Sequence, residues 1–461
     1  MSHETDTIAA IATPVGIGGI GIVRVSGPEA RSIARCIFRP SGNHEFLQSH
    51  RLYHGDVVFP GTDTILDECL AAFLRAPHSY TGEDSLEISC HGGPVVLESV
   101  FRAAVAAGAR PAGPGEFTKR AFLNNRLDLA QAEAVAELIH ARTERGARYA
   151  LNQLKGGLSE EIEGQMSVVL DVLALVEAEL DFSGDEAEQP PALNELRERI
   201  AACAGNLARL AETYRQGRAF SAGIRIVIAG KPNVGKSSLL NRLAGEHRAI
   251  VTPIPGTTRD FIEQAVAIEG IPVILTDTAG IREPRDEIER EGIGFVRHKI
   301  AAADLVIALL DGSAELAPED AEILRTCLLQ PALVAVNKSD LPRRMDEEAL
   351  RAGIAGAPCL WISAKTGEGI EALGKAIRRA TLADADDPRA EVVVTNLRHK
   401  LALETAAAFL LQAAEGIRQK KPPELIAQDL RDALTQLEDI MGATSPEEVL
   451  DRIFSRFCIG K

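Results

Sequence analysis

The sequence predicts a multidomain chain: an α+β N-terminal domain, then an α-helical domain in two pieces, with an α/β domain inserted between the pieces. Short apolar runs alternate with glycine turns up to about residue 120. Long Ala- and Leu-rich segments with helical spacing flank residues 217–381, and within that stretch each apolar run ends in a polar loop. Strands buried on both faces read as continuous apolar runs, the pattern of a parallel sheet. The predicted boundaries are 1–119, 120–216, 217–381 and 382–461.

In the first segment, strand signals fall at Ile8–Ala12, Ile20–Val25, Tyr53–Phe59, Cys69–Leu74 and Leu86–Cys90, and a helix runs from Pro94 to about Ala107, stopped by Gly108. Gly16-Ile17-Gly18-Gly19-Ile20-Gly21 fits G-x-G-x-x-G. The strand-like Ile22–Val25 follows it instead of a helix, so a dinucleotide site is disfavoured. Arg24 and Glu87 are charges inside β patterns, and on the residues alone both face solvent.

From Arg120 the texture turns helical. Leu127, Ala130, Ala134, Leu138 and Ala141 share one face; Met166, Val169, Leu170, Leu173, Val176 and Leu180 share another. Ser183–Pro191 interrupts, and a further helix carries Leu193, Leu196, Ile200, Cys203, Leu207 and Leu210. After an acidic linker, Leu382–Pro388, the pattern returns with Leu430, Leu434, Leu437, Ile440 and Met441, ended at Gly442. Ser445-Pro446-Glu447-Glu448 predicts an N-cap, a proline at the first helical position and a capping-box glutamate for a last helix packing Val449, Leu450, Ile453, Phe454 and Phe457.

The middle segment carries the chemistry. The β run from Ile224 leads into Gly230-Lys231-Pro232-Asn233-Val234-Gly235-Lys236-Ser237, and a helical sequence follows from Ser238. This is a strand, a phosphate loop and a helix: glycines let backbone N–H groups close on a polyphosphate, Lys236 reaches the β and γ phosphates, and the Ser237 hydroxyl suits Mg²⁺. Asn337-Lys338-Ser339-Asp340 follows the strand pattern Ala332–Val336. The Asp340 carboxylate can accept two parallel N–H bonds from guanine, whereas adenine leaves buried groups unpaired. Ser363-Ala364-Lys365 follows Leu360–Ile362 and offers a backbone N–H to guanine O6. Asp277-Thr278-Ala279-Gly280 closes the run Val273–Leu275 as the Mg²⁺ and γ-phosphate sensor, with Thr257-Thr258 between. Four such pieces in this order, each after a strand signal, identify an inserted α/β P-loop GTPase domain.

Many GTPases place a glutamine after the D-x-x-G to orient water; here Ile281 stands there, with Arg282 beside it and the acids Glu283, Asp286, Glu287, Glu289 and Glu291 beyond. Position alone does not choose among these. Asn233 is an oxygen donor suited to a monovalent cation, and K⁺ there supplies the positive charge of an arginine finger, a role worth roughly 10³–10⁵ in rate.

The net charge of −16 and few aromatics disfavour broad nucleic-acid binding, so any RNA contact needs a local basic patch. No apolar run reaches the ~18 residues of a membrane span, and the start lacks a basic leader, which reads as a soluble cytoplasmic protein. The seven scattered cysteines disfavour disulfide or zinc scaffolds and read mostly as small core residues. The last four residues, Cys458–Lys461, do not suit prenylation.

With these pieces placed, the chain resembles the MnmE (TrmE) family of tRNA modification GTPases along its whole length. The resemblance rests on Asp6-Thr7-Ile8-Ala9, Tyr80-Thr81-Gly82-Glu83-Asp84, His91-Gly92-Gly93-Pro94, Pro114-Gly115-Glu116-Phe117, Arg120-Ala121-Phe122-Leu123-Asn124, the GTPase set with Pro255-Gly256-Thr257-Thr258-Arg259-Asp260, and Phe457-Cys458-Ile459-Gly460-Lys461. It implies a homodimer formed through N-terminal domains that bind a 5-formyl-tetrahydrofolate-type donor through Arg24, Glu87, Arg126 and Lys461. This reverses the solvent reading of Arg24 and Glu87. Arg126 stands where the family usually has Lys, and Val15–Ile17 where it has Pro and a basic residue. The resemblance further implies GTP contacts from Asn233 to Ser238, from Thr252, Pro253, Ile254, Pro255, Gly256, Thr257 and Thr258, and from the loops above. It implies Mg²⁺ at Ser237 and Thr258, K⁺ at Asn233, Thr252, Ile254 and Thr257, and Glu289 as the water-orienting carboxylate beside Lys236. Cys458 sits in the family's terminal motif, where ordinary structure outweighs a catalytic thiol. The implied activity is joint: with FAD-containing MnmG in a heterotetramer, addition of an aminomethyl or carboxymethylaminomethyl group at C5 of the wobble uridine of certain tRNAs. A ribosome-assembly GTPase would carry a basic GXXG module, and a regulatory switch would lack the one-carbon site.

Overall fold

The computed structural model describes residues 6–42, 48–181, 193–246, 263–277, 299–382, 391–443 and 446–461. The chain divides into two compact units, 1–136 with 154–163 and 434–461, and 137–153 with 164–433.

In the first unit, β1 (Ile8–Ile11), β2 (Ile20–Ser26), β3 (Phe38–Pro40), β4 (Arg51–Val58), β5 (Ile65–Leu74), β6 (Ser85–His91) and β7 (Arg110–Pro111) form one sheet ordered β3-β4-β5-β6-β2-β1-β7. All pairs are antiparallel except β1 with β7. Helices α1 (Ala30–Ile37) and α2 (Pro94–Ala106) belong to the same core, Ile33 and Ile37 packing with Val100, Ala103, Phe73 and Ile88. A strand, β2, does follow the glycine run. Neither α1 nor α3 (Glu116–Leu123) was expected, because each is only eight residues long and its sequence shows less than two full periods. A separate cluster joins Leu129, Ala132 and Val135 to Leu450, Phe454 and Phe457, so the end of the chain packs on α4 (Leu129–His140). Leu127 and Ala141 fall outside α4.

In the second unit, β8 (Ile224–Ala229), β9 (Glu263–Ile268), β10 (Ile271–Asp277), β11 (Leu305–Asp311), β12 (Ala332–Asn337) and β13 (Cys359–Trp361) form a sheet ordered β13-β12-β11-β8-β10-β9, parallel except for β9. Alternate residues feed two cores: Ile226, Ile228, Ile307 and Leu309 on one face, Val227, Ala229, Val306 and Leu310 on the other. Burial on both faces explains the unbroken apolar runs. The unit also contains α5 (Glu144–Leu154), most of α6 (Gly157–Asp181), α7 (Leu193–Glu212), α8 (Tyr214–Ser221) and α9 (Lys236–Glu246). Helix α7, before the sheet, packs along Leu397–Arg418, after it. The Thr213 hydroxyl accepts from Val394 N at 2.9 Å, and Arg215 Nε donates to Thr381 O at 3.0 Å. The flanking segments therefore close on each other around the inserted sheet.

Leu196, Ile200, Cys203, Leu207 and Leu210 are buried as their spacing requires. Leu170 is not: α6 buries Val169, Val172, Leu173 and Val176, and Leu170 lies beyond that stripe, 50% exposed. The last helix is Glu447–Phe454; Pro446 has ψ 150° and stands at the N-cap instead of the first helical position, while Ser445 lies outside the described residues. Four cysteines are buried, but Cys36 and Cys458 are exposed. Burial pushes the Cys69 and Cys327 thiols up to about 12 and those of Cys90 and Cys203 to about 11, which makes them inert.

Candidate functional site

Two sets of residues come together, one in each unit. In the second unit, β8 runs into the loop 230–235, and α9 begins at Lys236, two residues earlier than the sequence pattern placed it. Asn233 and Gly235 have positive φ, 63° and 99°. A side chain at Gly235 would meet the Asn337 amide nitrogen at 2.3 Å, so the glycine is required by close packing as well as by backbone conformation. The Lys236 ammonium is buried and donates to Gly230 O and Lys231 O, both at 2.8 Å.

Asn337 joins the three loops. Its side chain, in a residue 3% exposed, donates to Val234 O at 2.8 Å and accepts from Ala364 N at 2.9 Å. The sequence placed Asn337 with the base-reading residues; one N–H of its amide also fastens the phosphate loop, and its oxygen takes the Ala364 N–H of the 363–365 loop. Lys338 takes φ 67° and pairs with Asp311 at 2.5 Å. Burial alone would raise Asp311, but hydrogen bonds from Lys338 and Ser313 hold its carboxyl below the usual value. The Ser363 hydroxyl donates to Asp340 at 2.6 Å and keeps that exposed carboxylate ionised to lower pH than usual. Arg242, on α9, donates through Nε to Ala364 O at 3.0 Å and also bonds Lys365 O. Ser237, Ser238 and Lys365 are exposed, and Asp277 ends β10. Thr252, Pro253, Ile254, Pro255, Gly256, Thr257, Thr258, Thr278, Ala279, Gly280 and Glu289 lie outside the described residues. The described loops present backbone N–H groups, an ammonium and a fixed carboxylate around one loop cluster, the groups that hold a guanosine polyphosphate.

In the first unit the register sets Arg24 opposite Glu87 on β2 and β6. Their side chains, 14% and 30% exposed, pair at 2.9 Å. They do not face open solvent as their residue types alone suggested. Opposite charges on neighbouring antiparallel strands were visible in the sequence, but without the pairing partner no rule joined them. Arg24 also donates to Gly460 O at 3.3 Å, and Ile459 bridges to Pro114. The Arg24 guanidinium lies 5.4 Å from the Tyr80 ring and 5.7 Å from Phe117, and the Lys461 ammonium 5.8 Å from Tyr80. Burial and the neighbouring Arg24 charge lower the Lys461 pKa, against the pull of Glu87. Burial raises the Tyr80 hydroxyl, which shares a hydrogen bond with Thr118. Two cations, one carboxylate and two rings suit a planar anionic ligand. Arg126 is exposed and packs on the Gly82 turn; among the described residues no hydrogen bond or ion pair ties it to Arg24, Glu87 or Lys461. Tyr80 and Phe117 were not singled out from sequence, although both sit in its glycine-bearing motifs.

Comparison with known proteins covers both units. A family model described as the GTP-binding protein TrmE N-terminus matches residues 7–126, and the MnmE helical domain model matches 129–458. Proteins named tRNA modification GTPase MnmE align from end to end: that of Syntrophus aciditrophicus is 49% identical, covering 99% of each chain, that of Symbiobacterium thermophilum 47% over 99% of each, and that of Geobacter sulfurreducens 45% over 100% of each. With the phosphate loop, the guanine loops and the Arg24 cluster each in place, the chain belongs to the MnmE (TrmE) family of tRNA modification GTPases.

Proposed function

We propose that this chain is the GTP-hydrolysing component of a complex that alters C5 of the wobble uridine in certain tRNAs. That it is a GTPase of tRNA modification follows from its family. The observation that carries the finer reading is the pairing of a guanine-nucleotide loop cluster, fastened by Asn337, with a second cluster of Arg24, Glu87, Lys461, Tyr80 and Phe117.

The second cluster fits a 5-formyl-tetrahydrofolate-type donor: the cations take its carboxylates and the rings its planar pterin, with Arg126 as an outer contact. In the nucleotide site Lys236 holds the β and γ phosphates, Asp340 reads guanine, and the 363–365 loop offers a backbone N–H to the purine. Ser237 and Thr258 would hold Mg²⁺, which when bound neutralises charge between the phosphates. Asn233, Thr252, Ile254 and Thr257 would hold K⁺, and Glu289 would orient the attacking water. The chain acts as a homodimer through its N-terminal part and with FAD-containing MnmG in the cytoplasm. The domain limits that support this reading are 1–119, 120–216, 217–381 and 382–461. Among the described residues no helix is long and apolar enough to cross a membrane.

The test is deletion of the gene followed by mass spectrometry of tRNA nucleosides, with wild-type and Lys236→Ala complementation. Loss of the C5-modified uridine that only wild type restores is the expected result. Unchanged nucleosides, where no redundant route exists, would refute it.

A further inference from the structure

A cleft outside both clusters has a composition unlike the rest of this acidic chain. It lies wholly in the second unit, has a volume of about 570 Å³, and is lined by Arg142, Arg145, Arg148 and Arg378 together with Glu144, Glu269 and Phe220. Four arginines face two glutamates here, whereas the chain as a whole carries 50 basic and 66 acidic residues. Arg145 and Arg148 are spaced three apart on one side of the start of α5, and Arg142 lies just before its first residue. Cations at that end of a helix oppose its dipole, so helix stability does not account for them.

Two of the four are held in fixed orientations. The Arg145 guanidinium lies 4.5 Å from the Phe220 ring, and its Nε donates to the Tyr149 hydroxyl at 2.7 Å. Across the cleft, Arg378 Nη1 donates at 2.8 Å to Glu269 O, in the β9–β10 turn where Glu269 takes φ 49°. Arg148 is exposed and Arg142 half-buried, and among the described residues neither is in an ion pair. A planar guanidinium fork that is already oriented loses little freedom in binding a phosphate bidentately.

We propose that this cleft grips phosphodiesters of the RNA backbone, so that an acidic chain holds tRNA by one local basic seat. The inference rests on the tRNA reading above and adds the place of contact. Phosphate contacts of this kind fix position and carry no base preference.

The experiment measures binding of fluorescein-labelled tRNA to the full-length protein by anisotropy across a NaCl series, for wild type, Arg148→Glu and Arg142→Ala/Arg148→Ala. Each lost phosphate contact should lower the slope of log affinity against log salt by about 0.7–0.9 and weaken binding about fivefold near 0.1 M salt. Arg148→Lys should keep the slope. GTP hydrolysis without tRNA and the melting temperature should not move, since neither arginine belongs to the nucleotide loops. Wild-type binding with unchanged slopes in the variants would overturn the cleft and leave the tRNA function standing. Variants that lose inorganic tripolyphosphate but retain tRNA would assign the seat to a small phosphate and overturn the RNA occupant. Failure of the wild type itself to bind tRNA would also overturn it, and the nucleoside analysis then decides the function separately.

Discussion

Replacing Asn337 by aspartate tests whether one amide fastens the nucleotide site. The substitution keeps shape and volume, keeps an acceptor for Ala364 N, and replaces the amide nitrogen that donates to Val234 O at 2.8 Å. In its place a carboxylate oxygen faces a carbonyl oxygen in a position 3% exposed. Removing the donor and leaving the buried carbonyl unsatisfied costs about 1–3 kcal/mol. Binding must restore the loop geometry against that cost, and about 1–3 kcal/mol corresponds to a guanine-nucleotide Kd raised roughly 5- to 150-fold. Titration with a fluorescent GDP analogue reads this, with circular dichroism confirming that the sheet persists. Burial raises the pKa of the new carboxyl, and its protonated form can donate again, so affinity should partly recover between about pH 8 and about pH 5.5. A Kd within about threefold of wild type at both pH values would refute the fastening role.

Asp340→Asn should weaken GTP and favour xanthosine triphosphate, because the amide complements the altered base edge; unchanged GTP affinity would contradict base reading by Asp340. Lys461 titrates below its ordinary 10.5, through burial and then Arg24, so affinity for an anionic folate-type donor should fall as pH rises through that lowered value. In the free protein the sign reverses: the folded state disfavours the ammonium, and Lys461 contributes stability as pH rises from its folded to its unfolded pKa. Calorimetric titration of Lys461→Met should remove both trends, and a pH profile identical to wild type would show that Lys461 does not cause them. Gly217→Ala would set a methyl 2.1 Å from Val394 O, and the resulting shift should cost about 1–3 kcal/mol, read as a lower melting temperature of the second unit.

The nucleotide half was legible because its strands are continuous apolar runs and each loop follows one directly. Chain order then stands in for spatial order: Gly235, Asn337 and Ala364 are far apart in sequence, but parallel strands bring their ends to one edge. The β2–β6 pair was less legible, since antiparallel pairing depends on which strands neighbour each other, and Arg24 opposite Glu87 emerges only from the register. Leu170 failed because an apolar stripe wider than the buried seam overstates what a 25-residue helix covers. The arginine cleft draws on α5, a turn and Arg378, segments more than a hundred residues apart that no local period connects.

The contact between Arg24 and Gly460 spans 436 residues. At ~5–20 residues per second of synthesis, roughly 20–90 s separate the emergence of its two ends from the ribosome. During that interval β1–β7 can pair, but Leu129, Ala132 and Val135 have no Phe454 or Phe457 to cover them. The inserted sheet, made of neighbouring segments, can finish first. The N-terminal unit is therefore begun first and completed last, and a nascent chain stalled after Leu382 would present an apolar face to chaperones while already able to hold nucleotide.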